Sequence, residues 1–113
     1  MYRLIVSDYD GTLVKNGKQL SNQFFTKLNM LSNCGSIFVI ASGRPYNQLK
    51  KLMFQCANNI VFVADDGAQV MYKNCLLYKK TVENSDAKAL CGFALKNGFT
   101  AICALREENR SVK

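Results

Sequence analysis

Arg3-Leu4-Ile5-Val6-Ser7-Asp8-Tyr9-Asp10-Gly11-Thr12-Leu13-Val14 decides how the rest of the chain is read. A short apolar run without alternation gives way at once to an acidic, glycine-containing turn. Non-alternating runs of this length belong to strands of parallel sheets, which are buried on both faces. Two more such runs, Ser36–Ala41 and Ile60–Ala64, end in Ser42-Gly43-Arg44 and Asp65-Asp66-Gly67. Between the first and second runs, Phe24, Leu28 and Leu31 recur at helical spacing. Ser21 is placed to N-cap that helix, Leu20 and Phe25 to staple it, and Gly35 to stop it. Between the second and third, Leu49, Leu52, Met53 and Cys56 form one stripe, and Pro45 suits a first helical position. The order β-α-β-α-β, with right-handed crossovers, predicts three parallel strands with helices packed on them.

Outward from this frame the pattern changes after Gly67. Gln69–Tyr72 and Cys75–Lys79, joined by Lys73-Asn74, predict an antiparallel hairpin with a weaker turn signal than Asn-Gly. Glu83-Asn84-Ser85 opens a third helix carrying Ala87, Leu90, Cys91 and Ala94 on one face, with Gly98 ending it. A strand over Thr100–Leu105 and a polar tail over Arg106–Lys113 are expected to follow. Among 113 residues, 49% hydrophobic content with seven Gly and one Pro excludes disordered and collagen-like classes. No apolar run approaches bilayer-spanning length, and no charged-then-apolar leader precedes Leu4, so a soluble cytoplasmic protein is expected. Five cysteines without a close pair point to free thiols in a reducing compartment. The absence of His removes Ser–His and Cys–His mechanisms and makes structural zinc implausible. The net charge of +7 comes from scattered Lys and Arg without interleaved aromatics, which describes a solvated surface and not a nucleic-acid site.

Ligands of open α/β sheets bind outside the carboxyl ends of the strands, where all three polar loops fall. At i and i+2 of an extended segment, Asp8 and Asp10 are expected to converge while Tyr9 points away. Such a pair repels, recruits a hard cation, or supplies a carboxylate nucleophile; the same residues also make an ordinary solvated turn. Ser42-Gly43-Arg44 offers a hydroxyl and backbone N–H groups at a helix start, suited to a phosphate or to plain capping. Asp65-Asp66-Gly67 is either additional negative charge at that edge or a turn.

Taken together, Asp8-Tyr9-Asp10-Gly11-Thr12-Leu13-Val14 and Ala41-Ser42-Gly43-Arg44-Pro45-Tyr46 resemble the first and second motifs of the haloacid dehalogenase-like hydrolases. The second motif, with Asp66-Gly67-Ala68 where that family usually has Asn-Gly-Ala, resembles the Cof-type sugar-phosphatase-like subgroup. The resemblance implies a three-layer Rossmann-like core with a parallel sheet, incomplete here, over residues 1–81. Residues 82–113 would then begin an α+β cap domain. It implies phosphomonoester hydrolysis through an aspartyl-phosphate on Asp8, which is also a Mg²⁺ ligand. Asp10 would protonate the leaving oxygen, activate water and lend its carbonyl to the metal. Ser42 and the Gly43 N–H would hold the phosphoryl group, with Gly11, Thr12 and Arg44 completing the substrate-binding loops. An Asp, a cation and aimed N–H groups supply what phosphoryl transfer needs.

Two parts of the family pattern do not occur in these 113 residues: the third-motif Lys and the acidic GDxxxD motif. The expectation is therefore an N-terminal portion with weak Mg²⁺ affinity and little activity alone, acting on a small phosphorylated metabolite such as a sugar phosphate. The alternative is a non-catalytic, partner-binding remnant. The first strand would be left as an open edge, which predicts self-association or pairing with a missing C-terminal half. A receiver domain fits poorly, because Tyr9 splits the two acids and Gly-Thr follows them.

Overall fold

The computed structural model describes residues 3–100. They divide into two compact units, one up to Lys80 and one from Thr81 onward. In the first, five strands form a single sheet in the order β1-β2-β3-β4-β5: Leu4–Asp8, Ile37–Ala41, Ile60–Ala64, Gln69–Tyr72 and Cys75–Lys79. The first three are parallel and the last two antiparallel, a mixed Rossmann-like sheet. Two helices, α1 (Asn22–Asn33) and α2 (Tyr46–Leu52), supply the crossovers.

Helix α1 begins as its sequence dictates. The Ser21 hydroxyl accepts the Phe24 N–H at 3.2 Å, and Gly35 takes the left-handed conformation (φ +84°) that lets the chain turn into β2. Helix α2 is shorter than the expected Pro45–Cys56. Pro45 stays extended (ψ 147°) as the cap and not the first helical residue, and the helix stops at Leu52. Its apolar stripe is nevertheless used. Successive i→i+3 bonds, from the Cys56 N–H to the Met53 carbonyl and from Asn59 to Cys56, continue the coil loosely. Leu49, Met53 and Cys56 are all buried.

Both helices lie on one face of the sheet. Phe25 and Leu28 of α1 and Leu49 of α2 close over Phe38, Ile40, Ile60, Phe62, Ala64 and Met71 in one buried cluster. Paired residues of neighbouring strands share a face, so the alternate row carries Leu4, Val6, Ile37, Val39, Val61, Val63 and Val70. The expectation that all three runs are buried on both faces fails in β1. Leu4 and Val6 remain 58% and 60% exposed, because β1 pairs only with β2 among the described residues and no helix of this unit crosses that side. Val39, on β2 between β1 and β3, is buried.

The hairpin forms at Lys73-Asn74, both at positive φ (49° and 61°), as a two-residue turn matching the sheet twist requires. The Tyr46 hydroxyl donates to Asn74 Oδ1 at 2.9 Å and ties the turn to α2. In the second unit, α3 (Asn84–Lys96) opens after Glu83 and ends before Gly98, at φ +77°. The strand and tail expected beyond Thr100 lie outside the described residues.

Candidate functional site

Parallel pairing brings the three loops to one edge. Asp8 pairs with Ala41, and Ala41 with Val63, so each strand reaches its loop at the same level. The second and third loops are then stitched together by backbone bonds. Asp65 N–H donates to the Arg44 carbonyl (3.1 Å) and Asp66 N–H to the Ser42 carbonyl (3.2 Å). The result is a cavity of about 330 Å³ lined by Asp8, Ala41, Ser42, Gly43, Val63, Asp66 and Gly67. Asp8 continues the Leu4–Val6 row, so this cavity lies at the carboxyl end of the face that the helices leave bare.

Four candidate residues shape its chemistry. Asp8 ends β1, and the Thr12 hydroxyl reaches back to its Oδ2 at 3.4 Å, a long bond that holds the carboxylate loosely. Ser42 is buried; its Oγ accepts the Arg44 N–H at 3.1 Å, which leaves the hydroxyl hydrogen to donate to a ligand. At Gly43 the nearest neighbour is the Asp66 carboxylate: a Cβ there would stand 2.8 Å from its Oδ1, so a side chain at position 43 would require Asp66 to turn aside. Asp66 is held at φ 55°, ψ 34°, a left-handed conformation that Asp and Asn tolerate better than most residues.

Asp10 does not join them. The strand ends at Asp8, and the N–H groups of Leu13 and Val14 both fold back onto the Tyr9 carbonyl, so strand alternation no longer governs residue 10. Gly11, at φ +81°, makes the tight return possible, with its N–H on the Val14 carbonyl at 2.8 Å. Asp10 instead forms a bidentate pair with Arg44, whose Nε and Nη2 each donate at 2.7 Å. These hydrogen bonds hold the Asp10 carboxyl below the usual carboxylate range. The Arg44 guanidinium also lies over the Tyr9 ring, 5.5 Å from its centre, and Tyr9 points into the core as expected, 3% exposed. Burial raises the Tyr9 hydroxyl's pKa, opposed by Arg44.

The Arg44–Asp10 pair was not anticipated from the residues. A signal existed: Asp8 and Ala41 are register partners, so residues two and three positions beyond them emerge side by side. Among the described residues no group of three or more acidic, Cys or His side chains is placed to hold a metal ion. The oxygen donors present still suit a hard cation of the Mg²⁺ type, which takes one or two carboxylates and completes its shell from water and substrate phosphate. Asp8 is available for that; the Asp10 carboxylate is engaged by Arg44.

Comparison with known proteins bears on the family and the fold. Residues 5–112 match the family described as haloacid dehalogenase-like hydrolase. The chain is 36% identical over 70 residues to the Escherichia coli 5-amino-6-(5-phospho-D-ribitylamino)uracil phosphatase, covering 61% of this chain and 26% of that one. A haloacid dehalogenase-like hydrolase from Bacteroides thetaiotaomicron superimposes with a TM-score of 0.70 at 25% identity, over 86% of this chain and 38% of that one. A subclass IIB sugar phosphatase of the same superfamily gives 0.64 at 27% identity, over 87% and 38%. The chain spans about a third of the relatives it matches, 34% and 37% for two from Buchnera aphidicola.

Proposed function

The chain belongs to the haloacid dehalogenase-like hydrolase family, and from that premise we propose that its cavity is the phosphoryl site of a Mg²⁺-dependent phosphomonoesterase acting on a small phosphorylated metabolite. The observation that carries this reading is the placing of Asp8, Ser42 and Gly43 around one cavity at the carboxyl ends of adjacent parallel strands. An Asp8 carboxylate oxygen attacks phosphorus as the P–O ester bond breaks, and the leaving oxygen takes a proton from Asp10. Water then attacks the aspartyl-phosphate, passes its proton to Asp10 and releases inorganic phosphate. The Ser42 hydroxyl and the Gly43 N–H hold the phosphoryl oxygens. A bound Mg²⁺, held by Asp8 and the Asp10 carbonyl, would neutralise charge between nucleophile and phosphate. Asp10 acts on the leaving group only after parting from Arg44, since the bidentate pair keeps its carboxyl ionised. Residues 82–113 are the start of a cap domain in this reading, and cysteines outside disulfides, such as Cys34, Cys56 and Cys75, fit a cytoplasmic setting.

Turnover by this chain alone is expected to be low. The third-motif Lys and GDxxxD motif do not occur in its sequence, and losing one preorganised electrostatic contact costs roughly 10²–10³ in rate. The test is Mg²⁺-dependent phosphate release from p-nitrophenyl phosphate: Asp8→Asn should bring it to background, and release that survives Asp8→Asn would falsify the assignment. A second reading, a partner-binding fragment without turnover, is favoured by the exposed Leu4 and Val6 of the edge strand. It expects no Asp8-dependent release at all, and concentration-dependent association that Val6→Glu abolishes.

A further inference from the structure

We propose that Asp66 is a charge gate on the cavity, admitting a phosphoryl group only in company with a divalent cation; this rests on the reading of the cavity as a phosphoryl site. The lining residues include two carboxylates, Asp8 and Asp66, and no Lys or Arg. Arg44, the cation nearest in sequence, is turned onto Asp10 by two 2.7 Å bonds. The wall therefore carries a formal charge of −2 against a ligand that is itself an anion. Asp8 is required for the proposed chemistry, whereas Asp66 has no part in it.

The backbone of Asp66 is fixed beside Ser42, and its carboxylate borders Gly43. Its N–H is bonded to the Ser42 carbonyl, its backbone is left-handed, and its Oδ1 occupies the space that a side chain at position 43 would need. A phosphoryl group held by the Ser42 hydroxyl and the Gly43 N–H must share that corner with the carboxylate. At about 4 Å through water, one unit-charge pair changes an equilibrium roughly fivefold, and a phosphate dianion doubles the exponent to about 25-fold. A divalent cation between Asp8 and the phosphate offsets the repulsion, so the same carboxylate that excludes the bare anion admits the cation–phosphate pair. The proposed gate thus selects the charge state of the entering group without contributing to the bond-breaking step.

Inorganic phosphate is the probe, titrated calorimetrically into the full chain at low ionic strength with and without excess MgCl₂. Asp66→Asn tolerates the same backbone conformation, and Asp66→Gly is unstrained there; both remove the charge. Without Mg²⁺, each should bind phosphate about 5- to 25-fold more tightly than the wild type. With Mg²⁺ in excess, the gap should close to about twofold or less, and added salt should narrow it further because Asp66 is exposed. Equal affinity of all three proteins without Mg²⁺, or a gain that Mg²⁺ leaves unchanged, overturns the gate. If the gate fails in this way while Ser42→Ala weakens phosphate binding in every background, the phosphoryl site itself stands. If no form binds phosphate even with Mg²⁺, the gate and the phosphoryl site fall together.

Discussion

The two faces of the sheet are built from similar residues and end in different states. On one, Phe38, Ile40, Ile60 and Phe62 meet α1 and α2 and are buried. On the other, Leu4, Val6 and Ile37 are as apolar and as β-branched, yet they stay exposed in the first unit. Apolar composition marks a surface whose exposure to water is unfavourable, by about 25 cal/mol per Å². It does not say which element covers that surface. The candidate site sits at the end of the bare face, since Asp8 continues the row of Leu4 and Val6. Whatever covers those residues would also border the cavity.

The largest effect that can break this comparison is expected on the covered face. Phe62 is fully buried, packs edge to face on Tyr46 at 5.6 Å between ring centres, and lies between β2 and β4 in register. Phe62→Ala should destabilise the chain by about 3–5 kcal/mol, read as a shift in the urea midpoint at unchanged slope. A loss under about 1 kcal/mol would mean that the helix-covered side is no better packed than the bare one.

The next effect uses the thiols. Burial pushes the Cys56 thiol up to about 11, while Cys34 and Cys75 are exposed. Between the ordinary thiol range near 9 and about 11, the folded state holds a proton that the unfolded chain has released. Stability therefore falls as pH rises through that window, by about 2 kcal/mol for this one group. Tyr9 and Tyr46, both also raised by burial, add in the same direction. Unfolding curves from pH 8 to 11 should show the decline, and Cys56→Ala should flatten part of it. A disulfide-exchange reagent at pH 8 should label Cys34 and Cys75 well before Cys56; simultaneous labelling would place the covered face in contact with solvent.

Much of this contrast was legible in the residues, and its limits are physical. The three parallel strands, the Ser21 cap, the Gly35 stop and the Lys73-Asn74 hairpin are local features, set by a few neighbouring side chains. The loops at one edge follow from them, because parallel crossovers return every strand in the same direction. The exposure of β1 was not legible, since burial depends on what packs from elsewhere. Nor was the turning of Asp10 onto Arg44: strand alternation aimed Asp10 at the cavity, but the strand stops at Asp8, and the partner lies 34 residues away. Helix α2 shows the reverse case. Its stripe faces inward as the spacing implies, with Leu52 half-buried, while its regular hydrogen bonding ends early because i→i+3 turns keep Met53 and Cys56 inward just as well.

The smallest effect sharpens the comparison most. Val6 and Val39 are register partners on the same face, one exposed on the edge strand and the other buried on β2. Val→Thr keeps the β-branched shape that suits a strand and changes one methyl to a hydroxyl. At position 39 that hydroxyl loses water without a partner at hand, which costs about 1–3 kcal/mol. At position 6 it stays hydrated, and the change in stability should be within about 0.5 kcal/mol. Equal costs at the two positions would show that something covers Val6 in solution. The source of the cover can then be separated by dilution. A second copy of the chain makes the cost of Val6→Thr, and the midpoint itself, depend on protein concentration. A cover other than a second copy leaves both independent of concentration.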